Sequence, residues 1–164
     1  MTFVSFFRAL GLTLLATLLV AGCGSTPPKP MATKGQIVAS ADVNPNSSGR
    51  ASPVHVRIFQ LKEDGAFLGA DFWALVDKEQ ETLAASLVQR QEFDLSPGET
   101  RDFELKIDPA ARVLAVMAEY ADYRNAQWRA VAQAPNKSLL DLVKKKSRVG
   151  FNIDKSKVSI AVGD

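Results

Sequence analysis

Cysteine and histidine are nearly missing from this chain: Cys23 and His55 each stand alone among 164 residues. One cysteine closes no intramolecular disulfide, so the fold must rest on its core. One histidine without a second imidazole or a thiol to join it reads as structural, not as a metal ligand. Charge of one sign is lacking too. The 20 Lys and Arg offset 18 Asp and Glu and are mixed with them along the chain, which leaves +2 and no basic footprint for nucleic acid. The densest basic run, Lys144, Lys145, Lys146 and Arg148, reads as a solvated face. Gly-rich phosphate loops and metal-ligand spacings are absent. Asp94, Glu99, Glu104 and Glu119 are scattered as on solvated sheet faces, and Ser40 or Ser52 near His55 is too common a pairing to specify a nucleophile. These absences predict a protein that binds rather than reacts, with no catalytic residue, no metal and no cofactor.

A long hydrophobic run is present only once, over residues 10–20, with Thr13 and Thr17 as weak interruptions. At about 14 residues to Cys23 it is short of the roughly 20 that a spanning helix needs. Arg8 before it and the small residues after it complete a secretory signal. Val20-Ala21-Gly22-Cys23 adds a lipobox, which places a thiol at the first mature residue for thioether linkage to diacylglycerol. The reading is a signal peptide at residues 1–22 and lipidation at Cys23. Gly24 and Ser25 lack the Asp that favours inner-membrane retention in Gram-negative bacteria, so outer-membrane sorting with a periplasmic domain is expected. Acyl chains contribute roughly 0.8 kcal/mol per buried methylene, enough to hold such a domain without an apolar patch.

Residues 23–34, rich in Ser, Thr, Pro, Lys and Gly, read as the acylated cysteine and a flexible tether. Residues 35–164 then read as one domain. Period-two alternation marks strands near 36–43, 53–61, 92–95, 101–107, 113–118, 127–132, 149–153 and 158–162. Residues 113–118 are apolar on both faces, as in a strand covered on two sides. Ser96-Pro97-Gly98-Glu99 suits a type II turn. Between about 65 and 88 the pattern turns helical, with Asp71 as N-cap and a division near Asp77-Lys78; Phe67, Phe72, Leu75 and Leu83 are expected to cover an edge or end of the sheet. Trp73 beside this stripe is read as core, with a solvent- or partner-facing ring as the alternative. Trp128 is read as core with Arg129 on the opposite face of its strand. Residues 135–147 are left open between helix and loop. The fold class is an all-β, antiparallel sandwich of about eight strands with a small helical insertion.

The connection Asn44, Pro45, Asn46, Ser47, Ser48, Gly49 and Arg50 is longer than the two to five residues usual for a hairpin. Excess loop length is where binding tends to reside, the alternative being a merely variable surface loop. A rival reading is a periplasm-facing lipoprotein that takes a small molecule or glycan in its end loops, which exposed aromatics around a pocket would favour.

Pro53-Val54-His55-Val56-Arg57-Ile58-Phe59-Gln60-Leu61, Ala66-Phe67, Ala70-Asp71-Phe72-Trp73-Ala74-Leu75, Ser96-Pro97-Gly98-Glu99 and Trp128-Arg129 together resemble the outer-membrane lipoprotein subunit of the type VI secretion system, the TssJ (SciN, VasD) family. The resemblance implies a transthyretin-like sandwich without enzymatic activity, anchored in the outer membrane by acyl chains. It also implies that the loop between the first two strands, here residues 44–50, contacts the periplasmic C-terminal region of the large inner-membrane subunit, TssM.

Overall fold

Strands that alternate apolar and polar residues can each bury one face only, and the economical solution is two sheets face to face. The computed structural model describes residues 29–135 and 148–163, and has this arrangement. The strands are β1 (Met31–Ala39), β2 (Val54–Leu61), β3 (Leu87–Leu95), β4 (Thr100–Ile107), β5 (Val113–Ala118), β6 (Arg129–Gln133), β7 (Arg148–Ile153) and β8 (Val158–Val162). One sheet has the order β4-β1-β7-β8, the other β3-β2-β5-β6. All pairings are antiparallel except β1 with β7, which run parallel and are distant in sequence, as a parallel pair requires. Between the sheets lie Ile37, Val56, Ile58, Leu105, Val116, Phe151 and their neighbours. Gln60, the polar intruder on this inner face, is satisfied: its amide donates to Lys106 O at 2.7 Å, and its carbonyl accepts from the Asp108 amide at 2.8 Å.

The helical insertion comprises α1 (Gly65–Gly69), α2 (Phe72–Asp77), α3 (Glu79–Leu83) and a 3₁₀ turn (Ala84–Ser86). Asp71 caps α2 as expected, accepting from the Ala74 amide at 2.8 Å. The helices do not cover an edge or end. They lie on the outer face of the β3-β2-β5-β6 sheet, where Phe67, Phe72, Leu75 and Leu83 meet Phe59, Leu61, Ala115 and Met117. This explains β5: Leu114 and Val116 face the other sheet, while Ala115 and Met117 face helices.

Three boundaries differ from the sequence reading by more than two residues. β1 begins at Met31, so residues 31–34 belong to the sheet and not to a tether, because β4 offers pairing partners as far as Ile107 opposite Met31. It also ends at Ala39, with residues 40–43 turning away. β3 begins at Leu87, since Leu61 of β2 pairs with it across a bulge, and the insertion therefore closes at Ser86. The signal peptide, Cys23, residues 24–28, the stretch 136–147 and Lys144 to Lys146 lie outside the described residues.

Candidate functional site

Each odd-numbered strand runs toward the same end of the sandwich. The connections β1–β2, β3–β4, β5–β6 and β7–β8 therefore gather there, while Met31, the ends of β2 and β3 that bracket the helical insertion, and the β4–β5 turn lie toward the other end. Asn44 is the pin of this loop cluster. Its backbone is left-handed (φ 47°), a conformation Asn tolerates better than most residues. Its side-chain amide donates to Pro53 O at 2.7 Å, its side-chain carbonyl accepts from the Ala121 amide at 2.7 Å, and its own amide donates to Lys155 O at 3.1 Å. One buried residue, 6% exposed, thus ties the β1–β2 loop through its side chain to the β5–β6 loop and through its backbone amide to the β7–β8 turn.

Asn46 organises the tip. Its side-chain oxygen accepts from the Ser48 and Arg50 amides, both at 3.0 Å, and Gly49 closes the turn with φ 76° and a bond to Asn46 O. The seven residues expected to meet a partner therefore divide. Asn44 is committed to the fold, Pro45 and Asn46 are half-buried, and Ser47, Ser48, Gly49 and Arg50 form an exposed, polar, pre-shaped tip.

The neighbouring turns are held as firmly. Gly98 (φ 78°) sits where the type II turn needs it, and Glu99 accepts from the Ser96 amide at 2.9 Å. That bond, then the paired Arg101, holds the Glu99 carboxyl below the usual range. Tyr120, placed by the sequence in a polar connection, is instead buried; its hydroxyl is shared between the carbonyls of Asp154 (2.8 Å) and Lys157 (2.9 Å). Burial, then the nearby Asp154, drives its pKa upward. The hollow among these loops, about 190 Å³, is lined by Asn44, Pro45, Tyr120, Asp122, Asn125 and Lys155 among others. That is below the roughly 300 Å³ at which small-molecule sites begin, and its single aromatic, Tyr120, is already committed.

Two features depart from the sequence reading, the first in favour of its alternative for Trp73. Trp73 is not core but 53% exposed, its indole N–H donating to the Tyr123 hydroxyl at 3.1 Å. Trp128 is half-buried rather than core, against the edge of Phe72 (5.1 Å between ring centres), and Arg129 does not point away from it but stacks over its ring at 4.6 Å. The second feature is a charged cluster on the outer sheet face. Arg57 lies 2.7 Å from Glu119, 3.4 Å from Glu79 and 3.6 Å from Glu92, and Glu79 also pairs with Arg90 at 2.9 Å. Arg57 further donates to the carbonyls of Leu75 (2.9 Å) and Val76 (3.1 Å) in the last turn of α2. Three carboxylates and two guanidinium groups interlock here as a structural clamp. Arg57 alternating with Val56 and Ile58 was the available signal, but its partners come from α2, α3, β3 and the residue after β5. His55 pairs across strands with Asp94 at 2.7 Å.

The comparisons with known proteins agree on one family. The family model for type VI secretion lipoproteins (VasD, EvfM, TssJ) matches residues 32–164. The chain is similar to the lipoprotein TssJ1 of the Pseudomonas aeruginosa type VI secretion system at 32% identity, over 82% of this chain and 98% of that one, with a TM-score of 0.73. It is similar to Lip of Serratia marcescens, a membrane-bound component of the type VI secretion system, at 24% identity over 80% and 96% of the two chains, TM-score 0.70. A chain of a structure described as the type VI membrane complex matches at 24% identity over 79% and 97%, TM-score 0.66. These last two show the shared fold. No curated protein matches the chain.

Proposed function

The chain belongs to the family of type VI secretion lipoproteins, structural components and not enzymes, and from that membership we propose that it tethers the secretion system's membrane complex to the outer membrane. In this reading acylated Cys23 is seated in the periplasmic leaflet, and the 44–50 loop docks on the periplasmic C-terminal region of the large inner-membrane subunit, TssM. The observation that carries it is the polarity of β1. Its nine residues enter at Met31 and deliver the chain to the loop cluster roughly 26 Å away. With Cys23 only eight residues before Met31, an anchored domain keeps the Met31 end near lipid and turns the loops toward the inner membrane. The polar tip, fixed by Asn44 and Asn46 before any partner arrives, supports protein docking over the rival small-molecule reading, since little ordering entropy is left to lose.

Deleting residues 47–49 removes exposed atoms and leaves Asn44 in place. The variant is expected to keep the wild-type thermal midpoint within a few degrees and to lose copurification with TssM. Undiminished copurification would sink the loop assignment.

A further inference from the structure

Among the described residues only Leu68, Trp73 and Val162 are large hydrophobics left exposed, and Trp73 is the most exposed of them. Its ring does not swing free. It stands edge-on to Phe72 (5.2 Å) and to Tyr123 (5.7 Å), with its N–H held by the Tyr123 hydroxyl. Tyr123 in turn stacks flat on Phe72 at 4.2 Å, and the Arg124 guanidinium lies 5.6 Å from the Tyr123 ring centre. An indole whose polar atom is satisfied and whose orientation is fixed presents apolar area at small entropic cost to a binder. The fold itself gains nothing from leaving that area wet. Trp, Tyr and Arg are also the residues that dominate interface energetics.

We propose that the Trp73–Tyr123–Arg124 edge is a second docking element for the same partner that takes the 44–50 loop, inserting Trp73 into an apolar pocket of that partner's periplasmic domain. The assignment rests on the docking role of the loop face and extends it. Continuity supports the shared occupant. Tyr123 belongs to the turn whose Asp122 and Asn125 line the hollow beside Asn44 and Pro45, and Asn44 bonds to Ala121 two residues before Tyr123. Position supports it as well, because the turn follows β5 at the end of the sandwich opposite Met31, away from the proposed lipid attachment. The β1–β2 loop and the turn that carries Tyr123 thus border one hollow, and Trp73 stands on the far side of Tyr123.

The test is a titration of the detergent-solubilised full chain with the purified periplasmic C-terminal region of TssM, comparing wild type, Trp73→Ala and the deletion of 47–49. Trp73→Ala is expected to weaken binding about tenfold or more, the range of interface anchors. If the deletion abolishes binding and Trp73→Ala binds as wild type, the second element is wrong and the loop reading stands. If Trp73→Ala weakens binding and the deletion does not, the loop reading fails and the aromatic edge stands. Tryptophan emission gives a readout independent of variant stability. Adding the TssM region is expected to shift wild-type emission to the blue and leave Trp73→Phe nearly unshifted. A shift produced instead by phosphatidylethanolamine–phosphatidylglycerol vesicles, and not by the TssM region, would overturn the proposal in favour of a lipid contact.

Discussion

Asn44 and Tyr120 do at the scale of single residues what a disulfide does in other small exported domains: each ties connections that are distant in sequence. Asn44 bonds to Pro53, Ala121 and Lys155, and Tyr120 reaches the carbonyls of Asp154 and Lys157. Tyr120 also carries a pH dependence. Its native pKa is raised above the unfolded value of about 10, so the native state keeps the proton where the unfolded chain releases it. Its contribution is thus complete below about pH 10 and declines as pH rises beyond that. Tyr123 has the opposite sign, its pKa being lowered by the bond from Trp73 and then by Arg124. Denaturation midpoints followed from pH 9 to 11 in wild type and Tyr120→Phe isolate the former. The variant is expected to lose about 1 kcal/mol at neutral pH and to show a flatter decline above pH 10. An equal decline in both would assign the alkaline loss to other groups. Neither role was legible in the sequence, where Asn44 reads as one of several turn formers and Tyr120 as part of a polar linker.

The helical insertion, at the scale of elements, is held to its sheet by apolar packing and by two arginines that satisfy helix-end carbonyls. Arg57 serves α2 through Leu75 and Val76, and Arg129 serves α1 through Phe67 (2.8 Å) and Ala70 (2.7 Å) while stacking on Trp128. Both helices are too short to persist alone, so these bonds decide whether the insertion stays docked. Arg129→Ala is expected to cost about 2–3 kcal/mol, since two carbonyls lose a charged donor. Hydrogen exchange is the discriminating measurement: amides of residues 65–78 should exchange faster while β1, β4 and β7 keep their protection. Uniform acceleration would show that Arg129 supports the whole sandwich instead. The insertion itself was readable from the spacing of Phe72, Leu75 and Leu83 and from the Asp71 cap. Its far boundary was not, because Leu87 and Val88 continue the helical spacing while in fact pairing with β2 as strand. Trp73 was left between two readings: periodicity places it next to the buried stripe, and only the position of the β5–β6 turn settles that its ring is exposed.

For the whole molecule, the alternation in β2, β4, β7 and β8 carried nearly all of the sandwich, and the doubly apolar β5 foretold a third layer without saying that helices supply it. What alternation leaves out is direction. That four connections converge at one end, and that the chain enters at the other, follows from the parallel β1–β7 pair and from pairings between strands far apart in sequence. This polarity is the core of the functional account: lipid at the Met31 end, protein at the loop end. The measurement that tests it most directly is fractionation of wild-type and Cys23→Ala cells, followed by affinity purification of the protein from each. The account predicts wild-type protein in the outer membrane together with TssM, and the variant released to the soluble periplasm yet still able to capture TssM, because the docking face does not depend on the anchor. Wild-type protein found soluble, or found in the outer membrane with no inner-membrane partner, would contradict it.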